Sequence, residues 1–474
     1  MAAGISVAGA EVSGPHAAMS GTKWTKISKN AALGPSPGLF RTADGRLHVI
    51  WARQDGPGQF SLNYSTVGGA TKLLATGTIV SHWTGISFDP RLVPGTHGGL
   101  QLIFTGGDGH NGSQYNTGAE YLARSNSAGK SWTLVPGSLS HSGLVTETDA
   151  AATAEPNGTP VAAWSEFTSL AYHVGIDSSS PAKSPDQHLG IGAGGGLISP
   201  TLIRTSTGAI VAGWFNNSGN ASAGYWAARI LPSKGAKIKA PNSGSKAQAN
   251  GQPFETVALV AHPGGGSYLA YCVPTKFLHC GHIALWRVGA AKAVTVPGSS
   301  SGTAGLVTLT AGHAGHLWIA WFDEGTSRIR VVRTNTAVTK FGLVRTISAP
   351  APLADFQGLS GLGGSGPLDL IAFATLNHAG STPAYFDTEL FPALRIHASK
   401  ASVSHLHSTT ITFTVDDSGD GVPGVTVKFL GKTAKTNSKG VVKFTVKKGT
   451  AKGKHIVVAS KNGYASATFT VKVT

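Results

Sequence analysis

An internal repeat constrains this chain more than any other feature. An aromatic residue closes a short apolar run at Trp51, Phe104, Trp164, Trp214, Tyr271, Trp321 and Phe373, at steps of 50 to 60 residues. The first six have a glycine six positions upstream: Gly45, Gly98, Gly158, Gly208, Gly265 and Gly315. The last has Gly366 seven positions upstream. A fixed period of this length marks one supersecondary unit copied along the chain.

The content of each copy follows from its residues. Asp44-Gly45 and Asn157-Gly158 are hairpin signals, because glycine tolerates positive φ. Apolar runs follow these turns in Leu47–Trp51, Val161–Trp164, Ile210–Trp214 and Leu317–Trp321. They are too short for helices, and their continuity predicts strands buried on both faces. Third strands are expected at Phe60–Val67, Tyr121–Arg124, Tyr225–Ile230, His282–Val288 and Arg328–Arg333. More polar fourth strands are expected at Ser131–Val135 and Phe341–Val344. Four strands per unit over seven units predict an all-β chain built as a seven-bladed β-propeller, with six blades as the alternative. The last unit runs from its third strand, Ala384–Leu390, straight into a different kind of sequence. The similar segment Lys23–Ile27 is expected to supply the missing fourth strand and close the ring, removing exposed edges.

The predicted boundaries are residues 1–21, an N-terminal segment or signal remnant; 22–393, the propeller; and 394–474, a small β-sandwich. The sandwich rests on strand-like runs at Thr409–Val415, Val425–Leu430, Val441–Val446, His455–Ala459 and Thr468–Val473. Asp416–Gly421 and Lys461-Asn462-Gly463 are among the turns between them. Of the formal net charge of +16, +10 lies in residues 394–474, from 13 Lys and Arg against Asp416, Asp417 and Asp420. An anionic cell-wall polymer, a headgroup layer or nucleic acid would suit such a surface, as would a solvated lysine-rich sheet with no partner. The lysines are scattered and form no arginine patch, so no specific nucleic acid partner is expected.

Charged residues are only 13% of the chain, and hydrophobic ones 41%, enough for a large core. No apolar run is long enough to cross a membrane as a helix. Cys272 and Cys280, the only cysteines, are expected to form a disulfide, which fits an oxidising compartment. The composition fits a secreted bacterial protein, extracellular or on the cell surface, and a monomer is expected.

In a propeller the first strand of each blade lines the channel. Its start shares a face with the loops between second and third strands. Asp89 and Asp149 stand at equivalent positions of adjacent units, each nine residues before its turn glycine. Glu147, Glu255 and Asp355 fall near the starts of their own first strands, and Arg91 one step inside. Glu166, Asp323 and Glu324 follow second strands on the same face. Together these nine residues predict an acidic, ligand-binding mouth. Carboxylate oxygens suit sugar hydroxyls; no cofactor is expected, with Ca²⁺ as the alternative occupant of such a set. Alternatively each aspartate caps a turn where its strand enters the ring. A glycosidase would draw its two carboxylates, about 5–9.5 Å apart, from Asp89, Asp149, Glu147 and Glu255. The loop group Asp108, His110 and Asn111 has metal-ligand chemistry but glycine-rich surroundings. No HExxH, CxxC or P-loop pattern is present, and no serine nucleophile elbow is expected.

Ser125-Asn126-Ser127-Ala128-Gly129-Lys130-Ser131-Trp132 resembles the Asp-box (BNR repeat) of the sialidase-like propeller superfamily, with Ser127 in place of the aspartate. Ser36-Pro37 through Trp51 also looks like an opening blade of that superfamily. The resemblance implies a structural turn at Ser127, between third and fourth strands and away from the ligand face. It also implies that catalytic members would carry an arginine triad, a Tyr/Glu nucleophile pair and an Asp acid/base. No triad can be placed here, and Asn30–Pro37 stands where the first arginine motif belongs. The C-terminal run from Gly424 to Tyr464 resembles bacterial Ig-like repeats, which implies a spacer or adhesive module. The expected function is therefore a non-catalytic propeller that binds a glycan or another cell-surface polymer. An exo-sialidase-like glycoside hydrolase and a protein-interaction scaffold stand as the alternatives.

Overall fold

The computed structural model describes residues 23–28, 33–86, 90–95, 98–110, 113, 119–125, 129–137, 150–166, 169–174, 187–190, 197–216, 223–244, 257–276, 279–350, 356–364, 366–375 and 383–474. The turn glycines act as the repeat requires. Gly45, Gly98, Gly158, Gly208, Gly265 and Gly315 all have φ between 76° and 101°. In the first unit the Thr42 and Gly45 N–H groups donate to Arg46 and Thr42 carbonyls. The same pair of bonds recurs around Glu155–Thr159, Thr205–Ala209 and His262–Gly266. A side chain at the left-handed position would be strained, which explains the glycine at each turn.

Each turn joins the first two strands of an antiparallel sheet. Seven such sheets follow one another among the described residues, each with four strands along its main path. Their first strands are Leu33–Arg41, Arg91–Pro94, Ala150–Ala154, Leu197–Arg204, Ala258–Ala261, Ala304–Ala311 and Phe356–Leu362. Each of these lies against the first strands of the two flanking sheets, and the last lies against the first. The arrangement is all-β and propeller-like. The periodic aromatics fill the spaces between sheets. Trp51 packs with Phe373 and Tyr385 between the first and last sheets. Phe104, Trp164, Trp214, Tyr271 and Trp321 serve the next five interfaces, and all are at most 1% exposed. Side chains of this size each contribute roughly 3 kcal/mol of burial, so the sheet-to-sheet contacts form the core.

The N-terminal segment lies on the last sheet. Thr25 and Lys26 pair with Asp387 and Phe386, and the Ile27 N–H donates to the Tyr385 carbonyl at 2.9 Å. Trp24 Nε1 donates to the Ser348 carbonyl on the sixth sheet at 2.8 Å. One strand expectation needs correcting. The fourth strand of the sixth sheet is Arg345–Ser348, not Phe341–Val344. Asn335 Oδ1 accepts from the Thr339 and Lys340 N–H groups, folding 335–340 into a turn, so Phe341 is left with an isolated bridge to Thr334.

Two further sheets follow, from Arg395 onward, and share a core of their own. One sheet contains Arg395–Ala398, Thr409–Asp417, Asp420–Gly421 and Val441–Val446. The other contains Ser402–Val403, Thr426–Phe429, Lys432–Lys435, Gly453–Ser460 and Ala467–Val473. Phe413, Phe429 and Phe444 meet edge to face between them, with centroids 5.4–6.0 Å apart. The described residues contain no helix long and apolar enough to cross a membrane.

Candidate functional site

All seven first strands contribute to one central cavity of about 320 Å³. Its wall is mostly aliphatic, with a few hydroxyls set among the apolar groups. The hydroxyls are those of Ser36, Thr201, Thr308, Thr310 and Ser360; Leu202, Val257 and Leu359 are among the apolar residues. Among the described residues Arg91 is the only charged side chain on this wall. It opens its strand, and Nη1 donates to the Pro90 carbonyl at 3.3 Å.

The starts of several first strands are irregular. Pairing with the second strand slips between Leu33 and Gly38, Ile198 and Thr201, Gly305 and Thr308, and Phe356 and Gly358. Ser199 and Leu306, equivalent positions nine residues before their turn glycines, have φ of 52° and 51°. Left-handed backbone at a non-glycine residue is costly, and such strain concentrates at functional sites. Bulges re-aim side chains at a sheet's end. Here they keep neighbouring strands tied, since the Val257 N–H donates to the Ser199 carbonyl and Thr201 Oγ1 to the Val257 carbonyl. The sequence carries no signal for these bulges beyond an uneven count of residues between units.

Of the expected mouth residues, Asp89, Glu147, Asp149, Glu255 and Asp355 lie outside the described residues. Glu166 ends a second strand, but its side chain is likewise not described. Arg91 reaches the cavity. Asp323 is 2% exposed; it accepts from Thr303 Oγ1 at 2.7 Å and pairs with Arg330 at 3.3 Å. It thus clasps its own sheet. Glu324 beside it is exposed. Asp108 accepts from Ser113 Oγ at 2.6 Å and from the His110 N–H at 3.0 Å. Burial pushes its carboxyl up, but those hydrogen bonds outweigh it and hold the group below the usual range. The described residues hold no group of three potential metal ligands. Cys272 and Cys280 are joined as a disulfide, with Cα atoms 5.4 Å apart.

Two turns remain. Ser125 Oγ accepts the Gly129 N–H at 2.8 Å, tightening the third-to-fourth-strand turn of the second sheet; Ser127 lies outside the described residues. Gly298, Ser300 and Gly302 have the spacing of a nucleophile elbow, a match that sequence reasoning passed over. They lie in a turn that leads into a strand rather than a helix, so the strained strand-to-helix geometry is missing.

No family model matches the chain, and no curated protein matches it in sequence. Solved structures resemble it distantly. One is a protein of unknown function from Dyadobacter fermentans DSM 18053, at 12% identity and a TM-score of 0.45, covering 77% of this chain and 97% of that one. The polysaccharide lyase Uly1 has 11% identity and a TM-score of 0.45, with 79% and 94% covered. The Hadza microbial sialidase Hz136 has 10% identity and a TM-score of 0.43; 75% of this chain and 65% of the sialidase are covered. Similarity at this distance carries no argument about activity.

Proposed function

We propose that the chain is a seven-bladed, sialidase-like propeller, sealed by its N-terminal strand and carrying an Ig-like sandwich, that binds a glycan at its central cavity without cleaving it. The observation that carries this reading is the convergence of seven first strands on one cavity whose mostly aliphatic wall bears several hydroxyls and a guanidinium. Hydroxyls and aliphatic patches match the two faces of a sugar ring, and an arginine fork suits a carboxylate or a pair of hydroxyls. A cavity of about 300 Å³ or more is the ordinary size for a small ligand. The strained positions Ser199 and Leu306 support placing recognition at the start of the first strands. The disulfide supports a place outside the cell.

A glycan array tests the reading. Binding of acidic or neutral saccharides is expected, with affinity falling by roughly 10-fold or more in an Arg91→Ala variant, the usual loss for one charge-assisted contact. Hydrolysis of sialyl or neutral aryl glycosides, abolished by Asp149→Asn, would instead establish the hydrolase. Neither binding nor turnover, with a co-purifying protein, would leave the scaffold.

A further inference from the structure

The C-terminal unit is polar in the electrical sense, which its sequence conceals. All three of its acidic side chains sit on the hairpin that meets the propeller. Asp417 pairs with Arg333, and Asp420 accepts the Thr336 N–H at 2.7 Å. Asp416 is held within the unit by Arg395 at 3.2 Å and His397 at 2.8 Å. Thr409–Asp417 runs from this hairpin to the opposite end, roughly 27 Å away at the usual rise per residue.

At that far end the loops 404–408 and 447–452 are tied together: the Gly449 N–H donates to the His405 carbonyl at 2.8 Å and the Lys448 N–H to Ser408 Oγ at 3.1 Å. Lys447, Lys448 and Lys452 project from them, all exposed. Lys454 and Lys472 stand directly opposite one another on the adjoining strands, also exposed. Like charges facing across a sheet are destabilising unless an anion lies between them. Two large apolar side chains are bare among these lysines, Leu406 at 56% and Ile456 at 61% exposure.

We propose that this far end docks on an anionic lipid surface, the lysines meeting headgroups and Leu406 entering the boundary below them. Exposed lysines beside an exposed leucine fit a surface that is charged outside and apolar within. A nucleic acid strand is disfavoured, since the loops 404–408 and 447–452 offer no arginine fork and no Phe, Tyr or Trp ring, His407 being their exposed ring.

The test is flotation of the full chain with phosphatidylcholine vesicles, with and without phosphatidylglycerol. Binding only to the anionic vesicles is expected, with release near 1 M salt, where screening acts within about 3 Å. Replacing Lys447, Lys448 and Lys452 by Gln is expected to weaken partitioning roughly 100-fold, about 5-fold per lysine. Leu406→Ser is expected to weaken it several-fold while leaving binding of soluble inorganic polyphosphate unchanged. Equal partitioning into neutral vesicles, or wild-type partitioning by the triple variant, would overturn the proposal. So would tight polyphosphate or oligonucleotide binding with no vesicle binding, which would make the end a site for soluble polyanions. These surface changes remove no buried contact, and unchanged thermal melting checks that each variant is folded.

Discussion

At the residue scale, the charges between the first and last sheets have consequences that no motif announces. Arg41 pairs with Asp369, and Asp387 and Glu389 complete the group between the first and last sheets. Asp387 is 0% exposed. Burial and then repulsion from Glu389 push its carboxyl up to about 7, against the pull of Arg41. The folded state therefore holds a proton that the unfolded chain releases near pH 4, so this group's contribution is present below that pH and is lost as pH rises through about 7. An Asp387→Asn variant is expected to be more stable than the wild type at pH 8, by on the order of 1–3 kcal/mol, with the gap closing by pH 4. Thermal melting across that range measures it, and a constant gap would count against a titrating seam. The aspartate could not be singled out in sequence, because its pKa depends first on burial and on Arg41, which only folding supplies, and only in part on Glu389, its neighbour two residues along the strand.

Among the elements, the legible ones were those whose signal is local. A turn glycine and a run of apolar residues specify a hairpin without help from distant parts of the chain. The second strands accordingly lie where the repeat puts them, and Ala384–Leu390 coincides with its observed bounds. Phe341–Val344 had the composition of a strand, but the turn built by Asn335 displaced pairing to Arg345–Ser348. The short strands Ser402–Val403 and Lys432–Lys435 were missed because edge strands of this length carry little apolar pattern. The N-terminal strand is short, yet Ile27 is 0% exposed in the cluster that joins the first and last sheets. Ile27→Ala is expected to cost about 2–4 kcal/mol and to lower the melting temperature of the whole propeller-like unit. A drop confined to the N-terminal segment, seen by hydrogen exchange, would mean that this strand is not needed for closure.

Across the whole molecule, the C-terminal unit is joined to the sixth sheet by a buried polar contact. Arg333, 6% exposed, pairs with Asp417, 2% exposed, and its guanidinium lies 5.1 Å from the Trp318 ring centroid. Burial lowers the Arg333 pKa to about 10, which leaves it charged at neutral pH. His316 Nδ1 hydrogen-bonds the Thr334 carbonyl at 2.7 Å, with Nε2 3.8 Å from Asp420. Removing one partner of a buried pair strands the other, at a cost of about 3–5 kcal/mol. Arg333→Ala is therefore expected to split thermal unfolding into two transitions, whereas replacing Arg333 by Met and Asp417 by Leu together restores one. A single unshifted transition in Arg333→Ala would show that the two units are coupled by other contacts.

By itself the sequence determined the unit of construction: its length, its turn residues and the aromatic that each sheet buries. Those properties rest on neighbours within a few residues, so they can be read along the chain. Which sheet faces which, where first strands bulge, and where a carboxylate finds its cation were decided only by the tertiary structure. Asp323 and Asp417 illustrate the difference. In sequence each is an acidic residue in a polar loop; folded, each is buried against an arginine. Asp417 meets Arg333 only through packing between segments far apart in sequence, and Asp323, though near Arg330 along the chain, is buried only when its sheet packs against its neighbours.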